Sequence, residues 1–187
     1  MTIAVVLLWI ITLAGCESIH ERTMRNSVEY AESHIDLLES CAQELQDVIS
    51  ESLKQTGNGG YSAFRVEPIK KTTMRLTNTI SETETTIESE YCQEIFGDGC
   101  IKYISIYIRD AAYTVVYTTG GHGIGPATSY YAIEYITTGE VSDLWWYNEN
   151  MTFVAQENGM YGKQADGDNS FFYFQITDDL YYCEASF

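Results

Sequence analysis

The sequence predicts an α+β fold: a long N-terminal helix, a second short helix and an antiparallel β-meander sheet. Two observations lead to this prediction. In the first third of the chain, apolar residues recur at alternating steps of four and three, the period of a helix buried along one stripe. From Ile101 onward they recur at every second position, the period of a half-buried strand. Because the strands follow one another with short turns between them, we expect them to pair antiparallel, with the helices on one face of the sheet.

The segment 17–55 is predicted to be a long amphipathic helix, continuous from Glu17 to Leu53. It contains no Gly or Pro, and its seam consists of Met24, Val28, Ala31, Ile35, Leu38, Ala42, Leu45 and Ile49. Leu37, Cys41 and Val48 widen this stripe on one flank, which favours a helix lying on a sheet. A heptad seam of this length also fits a stalk or an oligomeric coiled coil, so both interpretations stay open.

Residues 61–187 are predicted to form the α+β domain that carries the sheet, with its first strand within Tyr61–Lys71. Ser81 and Glu84 make a Ser-x-x-Glu capping box, so the short helix is expected from Glu82 to Phe96. Period-two alternation then predicts strands at 103–108, 113–119, 129–136, 171–177 and 180–187.

Two details of the sheet follow from the same patterns. Ile104, Ile106 and Ile108 alternate with polar and aromatic residues, so they are expected on one face of their strand. The dipeptide Asn158-Gly159 is a favoured two-residue turn and predicts a hairpin between residues 153–156 and 160–163.

The composition is that of a globular chain with an acidic surface. Of the 187 residues, 45% are hydrophobic and 20% charged, and the formal net charge is -17. This charge repels phosphates, which argues against nucleic acid and anionic lipid headgroups as partners. Fifteen tyrosines against two prolines fit half-buried antiparallel strands, where the ring lies inside and the hydroxyl at the wet edge.

The first sixteen residues are predicted to form an export signal. Ile3 to Leu13 is an apolar run that ends in Leu13-Ala14-Gly15-Cys16, and a short apolar core followed by small residues is typical of a signal peptide. These four residues resemble the lipobox of bacterial lipoproteins, in which the cysteine is acylated and becomes the new N-terminus. The resemblance implies lipidation of Cys16, with palmitate as one of the acyl groups, and a location at the cell membrane on the extracytoplasmic face. An uncleaved membrane anchor is the alternative, although the run is shorter than the roughly 17–25 residues that span a bilayer.

The other four cysteines predict disulfide bonds. If Cys16 carries lipid, an even number remains in an exported chain: Cys41, Cys92, Cys100 and Cys183. Cys92 and Cys100 flank a glycine-containing turn, so we expect Cys92–Cys100 and, with it, Cys41–Cys183. Four buried free thiols are the alternative. The chain has no Cys-x-x-Cys pair and its histidines are scattered, so we expect no metal site, and no cofactor motif is present.

Two stretches are candidate sites. Trp145, Trp146 and Tyr147 lie beside carboxylates and amides (Asp143, Glu149 and Asn150), a combination that grips sugar rings or peptides; packing of at least one Trp into the core is the alternative. The glycine loop around His122 could supply a base and anion-binding amides, although a flexible hairpin connection explains its glycines equally well. No Gly-x-Ser-x-Gly or His-Glu-x-x-His motif is present, so we expect a non-enzymatic binding or structural module, with a hydrolase using His122 as the alternative.

The C-terminal part carries a second resemblance. The stretches Gly125–Tyr131, Gly167-Asp168-Asn169 and Asp179–Phe187 are similar to a pattern in small exported Firmicutes-type proteins that begin with a hydrophobic anchor and end in an aromatic run before Glu-Ala-Ser-Phe. The likeness covers roughly Glu82 to Phe187 and implies a compact C-terminal domain and no activity. Altogether the sequence predicts a membrane-tethered extracytoplasmic module with a protein or glycan partner.

Overall fold

A computed structural model describes residues 19–56, 61–109, 112–122, 128–156, 159–165, 167 and 169–187. Within these ranges, the helices are α1 (Ile19–Ser33), α2 (Ile35–Thr56) and α3 (Glu90–Gly97). The strands are β1 (Ser62–Pro68), β2 (Thr73–Asn78), β3 (Thr83–Glu88), β4 (Tyr103–Arg109), β5 (Ala112–His122), β6 (Ser129–Ile136), β7 (Met151–Gln156), β8 (Gly159–Gln164), β9 (Ser170–Gln175) and β10 (Leu180–Ser186). The predicted α+β class with an antiparallel meander is confirmed.

All described strands belong to one antiparallel sheet in the order β3-β2-β1-β4-β5-β6-β10-β9-β8-β7. Neighbours in sequence pair as hairpins except at two places, where β1 pairs with β4 and β6 pairs with β10. These two pairings join three hairpin runs into a single sheet. They also bring the last strand of the chain into the middle of the sheet, beside β6, while β3 and β7 form the two edges.

One face of the sheet packs against the helices. Ile104, Ile106 and Ile108 are buried on this face, as the alternation predicted, together with Val66, Val115, Tyr117 and Ile133. The helices contribute Ala31, Leu38, Ala42, Leu45 and Ile49 to the same core. From Ala31 onward the predicted seam is buried, except for the partly buried Ile35, and it lies on the protein's own sheet, which supports the sheet-packed helix over a stalk.

The N-terminal helix is not continuous, and the prediction of one helix from Glu17 to Leu53 is wrong in this respect. The break lies at His34, whose backbone N–H donates to the carbonyl of Ala31 over 3.1 Å and so closes a tighter turn than an α-helix allows. The Ser33 hydroxyl donates to the carbonyls of Glu29 and Tyr30 at 2.7 and 2.9 Å, which satisfies acceptors at the end of α1. Glu17 lies outside the described residues.

The second helix is shorter than predicted and starts later. Residues 83–88 are strand β3, because they pair antiparallel with β2, and their β-branched threonines are compatible with extended backbone. The N-cap of α3 is Ser89, whose hydroxyl accepts a hydrogen bond from the N–H of Cys92 over 3.0 Å. Ser81 therefore caps no helix.

The predicted hairpin between β7 and β8 is present, but its turn is shifted by one residue. Gln156 pairs with Gly159, so Gly159 is the first residue of β8, and Asn158 lies outside the described residues. Gly159 has φ +151, and a Cβ there would approach the carbonyl oxygen of Tyr173 to 2.3 Å. The close approach of β9 therefore explains this glycine. Strand β2 was not predicted.

Truncation of Leu38 tests the packing of α2 on the sheet. Leu38 is fully buried, and its carbonyl accepts a hydrogen bond from the buried Tyr117 hydroxyl over 2.6 Å. We expect Leu38→Ala to lower the free energy of unfolding by roughly 2–5 kcal/mol in urea titrations, and Leu38→Asp to lower it further. The matched control is Gln43→Ala on the exposed side of α2, with a change of less than about 0.5 kcal/mol. If Leu38→Asp only dissociated an oligomer into folded subunits, the stalk interpretation would be correct.

Candidate functional site

The face of the sheet opposite the helices carries a second, smaller apolar cluster. Its sheet residues are Ile136, Phe171, Tyr181, Cys183 and Ala185, and the buried Leu144 covers them from the connector between β6 and β7. We call residues 137–150 the cover segment. Because this face is covered by a loop with one short 3-10 helix (Val141–Asp143) and not by an α-helix, side chains on the cover segment stay partly exposed.

An open groove of about 650 Å³ lies along the cover segment. The cover segment lines it with Trp145, Trp146, Tyr147, Asn148, Glu149 and Asn150, the stretch in which the sequence predicted a binding surface. The far side is formed by Arg109 at the end of β4, Gln164 at the end of β8, Asn169 just before β9, and the C-terminal Phe187. The groove thus combines half-buried aromatic rings with carboxamides and few charges.

Trp145 is held flat against the sheet. Its ring stacks on Tyr107 with centroids 3.4 Å apart and planes 5° apart, and Tyr61 lies parallel at 6.2 Å. Trp145 remains half-buried, so the ring is both a packing group and part of the groove wall. Trp145 is not among the described residues of either core cluster, so this ring does not meet the alternative that at least one Trp packs into the core.

Trp146 and Tyr147 pack on the smaller cluster and are half-buried as well. Tyr147 stacks on Phe153 with centroids 5.2 Å apart and planes 7° apart, and Trp146 lies 6.2 Å from Tyr130. Aromatic neighbours restrict the rotamers of both rings. The groove therefore presents aromatic surfaces whose orientation is largely set before any ligand arrives.

Carboxamides surround these rings. The Asn148 side-chain oxygen accepts from the backbone N–H and the Nδ2 group of Asn150, at 2.9 and 3.1 Å. On the far side, the Gln164 side-chain oxygen accepts from Asn169 Nδ2 over 3.2 Å. Each amide keeps further donor or acceptor capacity. The groove can therefore both donate hydrogen bonds to the hydroxyl groups of a ligand and accept hydrogen bonds from them.

A buried carboxyl group anchors the cover segment to the sheet. Glu134 on β6 is fully buried, and its Oε2 accepts a hydrogen bond from the backbone N–H of Trp145 over 2.8 Å. The Cys183 thiol also donates to this carboxyl group, while Oε1 has no partner among the described residues. Desolvation by burial raises the pKa of Glu134 to about 7, against the lowering effect of these hydrogen bonds.

Asp143 lies beside the groove, where it has a structural role, and it is not among the described lining residues. Its backbone carbonyl accepts from the Thr114 hydroxyl over 2.8 Å, and its carboxylate accepts from the Thr138 hydroxyl over 2.6 Å. The first bond ties the cover segment to β5, and the second joins two residues within the cover segment. Sequence reasoning missed Glu134 and Arg109; the signal for Glu134 was a single acidic residue within the apolar strand 129–136.

His122 is not among the described residues that line the groove. The backbone of His122 ends β5, opposite Ser129, while its side chain and residues 123–127 lie outside the described part of the chain. The alternative of a hydrolase using His122 therefore gains no support from the described residues.

The predicted disulfide partners are wrong. Cys41, Cys92, Cys100 and Cys183 are free thiols, and the sulfur of Cys41 lies 3.6 Å from that of Cys92. Cys41 faces the helix side of the sheet, whereas Cys183 belongs to the cluster on the other side. The sheet itself separates these two cysteines. Cys16 lies outside the described residues.

No family model matches this chain, and comparison with curated proteins and with solved structures finds no match. From Ile19 onward, none of the helices that the structure describes is long and apolar enough to cross a membrane. The described residues also contain no group of three or more His, Cys, Asp or Glu side chains arranged to hold a metal ion.

The buried Glu134 predicts a stability that falls as pH rises. A carboxyl group with a raised pKa in the folded state holds its proton longer than in the unfolded chain, so its contribution is complete below about pH 4.5 and is lost by about pH 7. We expect Glu134→Gln to remove this part of the pH dependence. At pH 8 the variant should be more stable than the parent protein by about 2–3 kcal/mol.

Urea unfolding between pH 4 and pH 8 measures this difference. The matched control is Glu149→Gln on the exposed end of the cover segment, which should leave the pH dependence unchanged. An unaltered slope in Glu134→Gln would show that the pKa of Glu134 is the same in the folded and the unfolded protein.

Proposed function

We propose that the protein is a membrane-tethered extracytoplasmic lipoprotein that binds an oligosaccharide in the groove along the cover segment. The observation that carries the proposal is the pairing of pre-oriented aromatic surfaces with carboxamides in one open groove. Sugar rings have apolar faces that stack on Trp and Tyr, and hydroxyl groups at their edges that exchange hydrogen bonds with amides.

The charges of the groove favour a neutral ligand. Among the described side chains that line the groove, Arg109 and Glu149 are charged at neutral pH, and their charges are opposite. A polyanion would also have to approach a protein with a formal net charge of -17. A neutral saccharide avoids this electrostatic repulsion.

Binding without chemical conversion fits the lining best. The groove's polar groups are mainly carboxamides, which are neither bases nor nucleophiles at neutral pH. The buried carboxyl group of Glu134 is occupied on one oxygen by the cover segment itself. These groups position a ligand, whereas hydrolysis of a glycosidic bond needs two accessible carboxyl groups across the bond.

The tether rests on the sequence before α1. Cys16 follows the apolar run Ile3–Leu13, and α1 begins at Ile19, so an acylated Cys16 would directly precede the helical layer. A single lipid chain binds membranes only marginally, which makes multiple acylation at one N-terminal cysteine the physically sufficient anchor. The proposed location would hold the groove close to glycans outside the cell.

Removal of one aromatic ring tests the groove. We expect Trp146→Ala to weaken binding of neutral oligosaccharides by about 5- to 30-fold, because stacking in a pre-oriented site contributes on the order of 1–2 kcal/mol. The protein is first screened against an array of neutral and acidic glycans, and the ligands found are titrated by calorimetry. Tyr91→Ala is the matched control, since Tyr91 is an exposed aromatic residue on α3, away from the groove.

Three results would contradict the proposal. They are binding of no glycan on the array, equal affinity in Trp146→Ala and the parent protein, or capture of extended peptides in preference to saccharides. The last result would assign the groove to a peptide partner.

Lipidation is tested separately. Cys16→Ser should abolish incorporation of labelled palmitate and leave the signal uncleaved when the full chain is expressed in a bacterium. The matched control is Cys100→Ser, which removes the partly exposed thiol of the folded part and should keep the label. Undiminished labelling of Cys16→Ser would refute lipidation at this residue.

A further inference from the structure

Two fully buried cysteines meet between the helices. Cys41 on α2 and Cys92 on α3 are 51 positions apart in sequence, yet their sulfur atoms lie 3.6 Å from each other in hydrogen-bonding contact. A disulfide bond needs about 2.0 Å between its sulfur atoms, so side-chain movements of roughly 1.5 Å would close the gap.

The two helices are fixed to each other beside this pair. The Ser89 hydroxyl at the N-cap of α3 donates to the carboxylate of Glu44, which lies one helical turn beyond Cys41 on α2. The same hydroxyl accepts from the backbone N–H of Cys92 over 3.0 Å. The sulfur atoms are therefore held at contact distance by hydrogen bonds that do not involve them.

We propose that Cys41 and Cys92 are the disulfide-forming pair of this protein and join α2 to α3 by exchange with a disulfide oxidant. In the first step, the thiolate of one cysteine attacks the oxidant's disulfide and releases one oxidant thiol. The second cysteine, as its thiolate, then attacks the mixed disulfide and releases the other. Two cysteine thiols are oxidised, one oxidant disulfide is reduced to two thiols, and the two cysteine protons end on those thiols.

The contact also distinguishes the two thiols. In the folded protein, a hydrogen bond from the Cys41 thiol lowers the pKa of Cys92. Both groups are fully buried once the helices have packed, so the exchange takes place as the chain folds. Cys183 lies beside Glu134 across the sheet, and Cys100 is partly exposed after α3; both stay thiols.

The bond would lock one end of the sheet to the helical layer. Strands β1, β2 and β3 lie between Cys41 and Cys92 in sequence, and β3 is an edge of the sheet. Closing a loop of this length restricts the unfolded chain strongly on the chain-entropy model. We expect reduction to lower the melting temperature by about 10 °C.

Peptide mapping of the full chain tests the pairing directly. The purified protein in detergent is refolded in a buffer of oxidised and reduced glutathione, then denatured and alkylated without reductant. We expect one cross-linked peptide pair containing Cys41 and Cys92, with Cys100 and Cys183 alkylated. Cys100→Ser and Cys183→Ser should keep the cross-link, whereas Cys41→Ser and Cys92→Ser should each lose it.

The parent protein suffices if a serine variant does not fold. Alkylation of all four cysteines after oxidative refolding, or a cross-link between another pair, would overturn the proposal. Equal melting temperatures of the oxidised and the reduced parent protein would overturn its structural part. Because the oxidant is supplied in vitro, none of these results depends on export, lipidation or saccharide binding.

Discussion

The fold depends on one constraint: the central strands are buried on both faces. Residues 113–118 of β5 are buried without interruption, as are residues 131–134 of β6 and 180–183 of β10. A strand buried on both faces needs two covers. The helices supply the first cover and bring a wide apolar stripe to the sheet. The segment between β6 and β7 supplies the second with one buried leucine and several aromatic rings, because a loop cannot fill as much space as a helix.

The candidate site follows from the thinness of this second cover. Rings that pack on the sheet from a loop keep one side toward solvent, which is how Trp145 both stacks on Tyr107 and lines the groove. The loop is held in place by a backbone hydrogen bond to the buried Glu134. Burying a carboxyl group costs stability, and its raised pKa is the sign of that cost. Stability at neutral pH and the shape of the groove are therefore coupled through one residue.

The sheet also decides the chemistry of the cysteines. Cys41 and Cys92 lie on the helix side, while Cys183 lies on the side of the cover segment. An even number of cysteines and a turn between two of them suggested partners by proximity in sequence. Proximity in space is set by the packing of α2 on α3, which joins residues 51 positions apart. The sequence does not show which face of the sheet each cysteine occupies, so it could not identify the disulfide partners.

Sequence alone determined what depends on local period: the helical stripe from Ala31 to Ile49, the alternation of β4, the limits of β6, and the aromatic stretch 145–147 as a candidate surface. Tertiary structure decided what depends on distant partners. The helix breaks at His34, where α1 and α2 each follow the sheet, and residues 83–88 become a strand because β2 pairs with them. Tertiary structure likewise decided the pairing of β6 with β10 and the burial of Glu134. Hydrophobic period is encoded by neighbours in the chain, whereas these features arise from hydrogen bonds and packing between segments far apart in it.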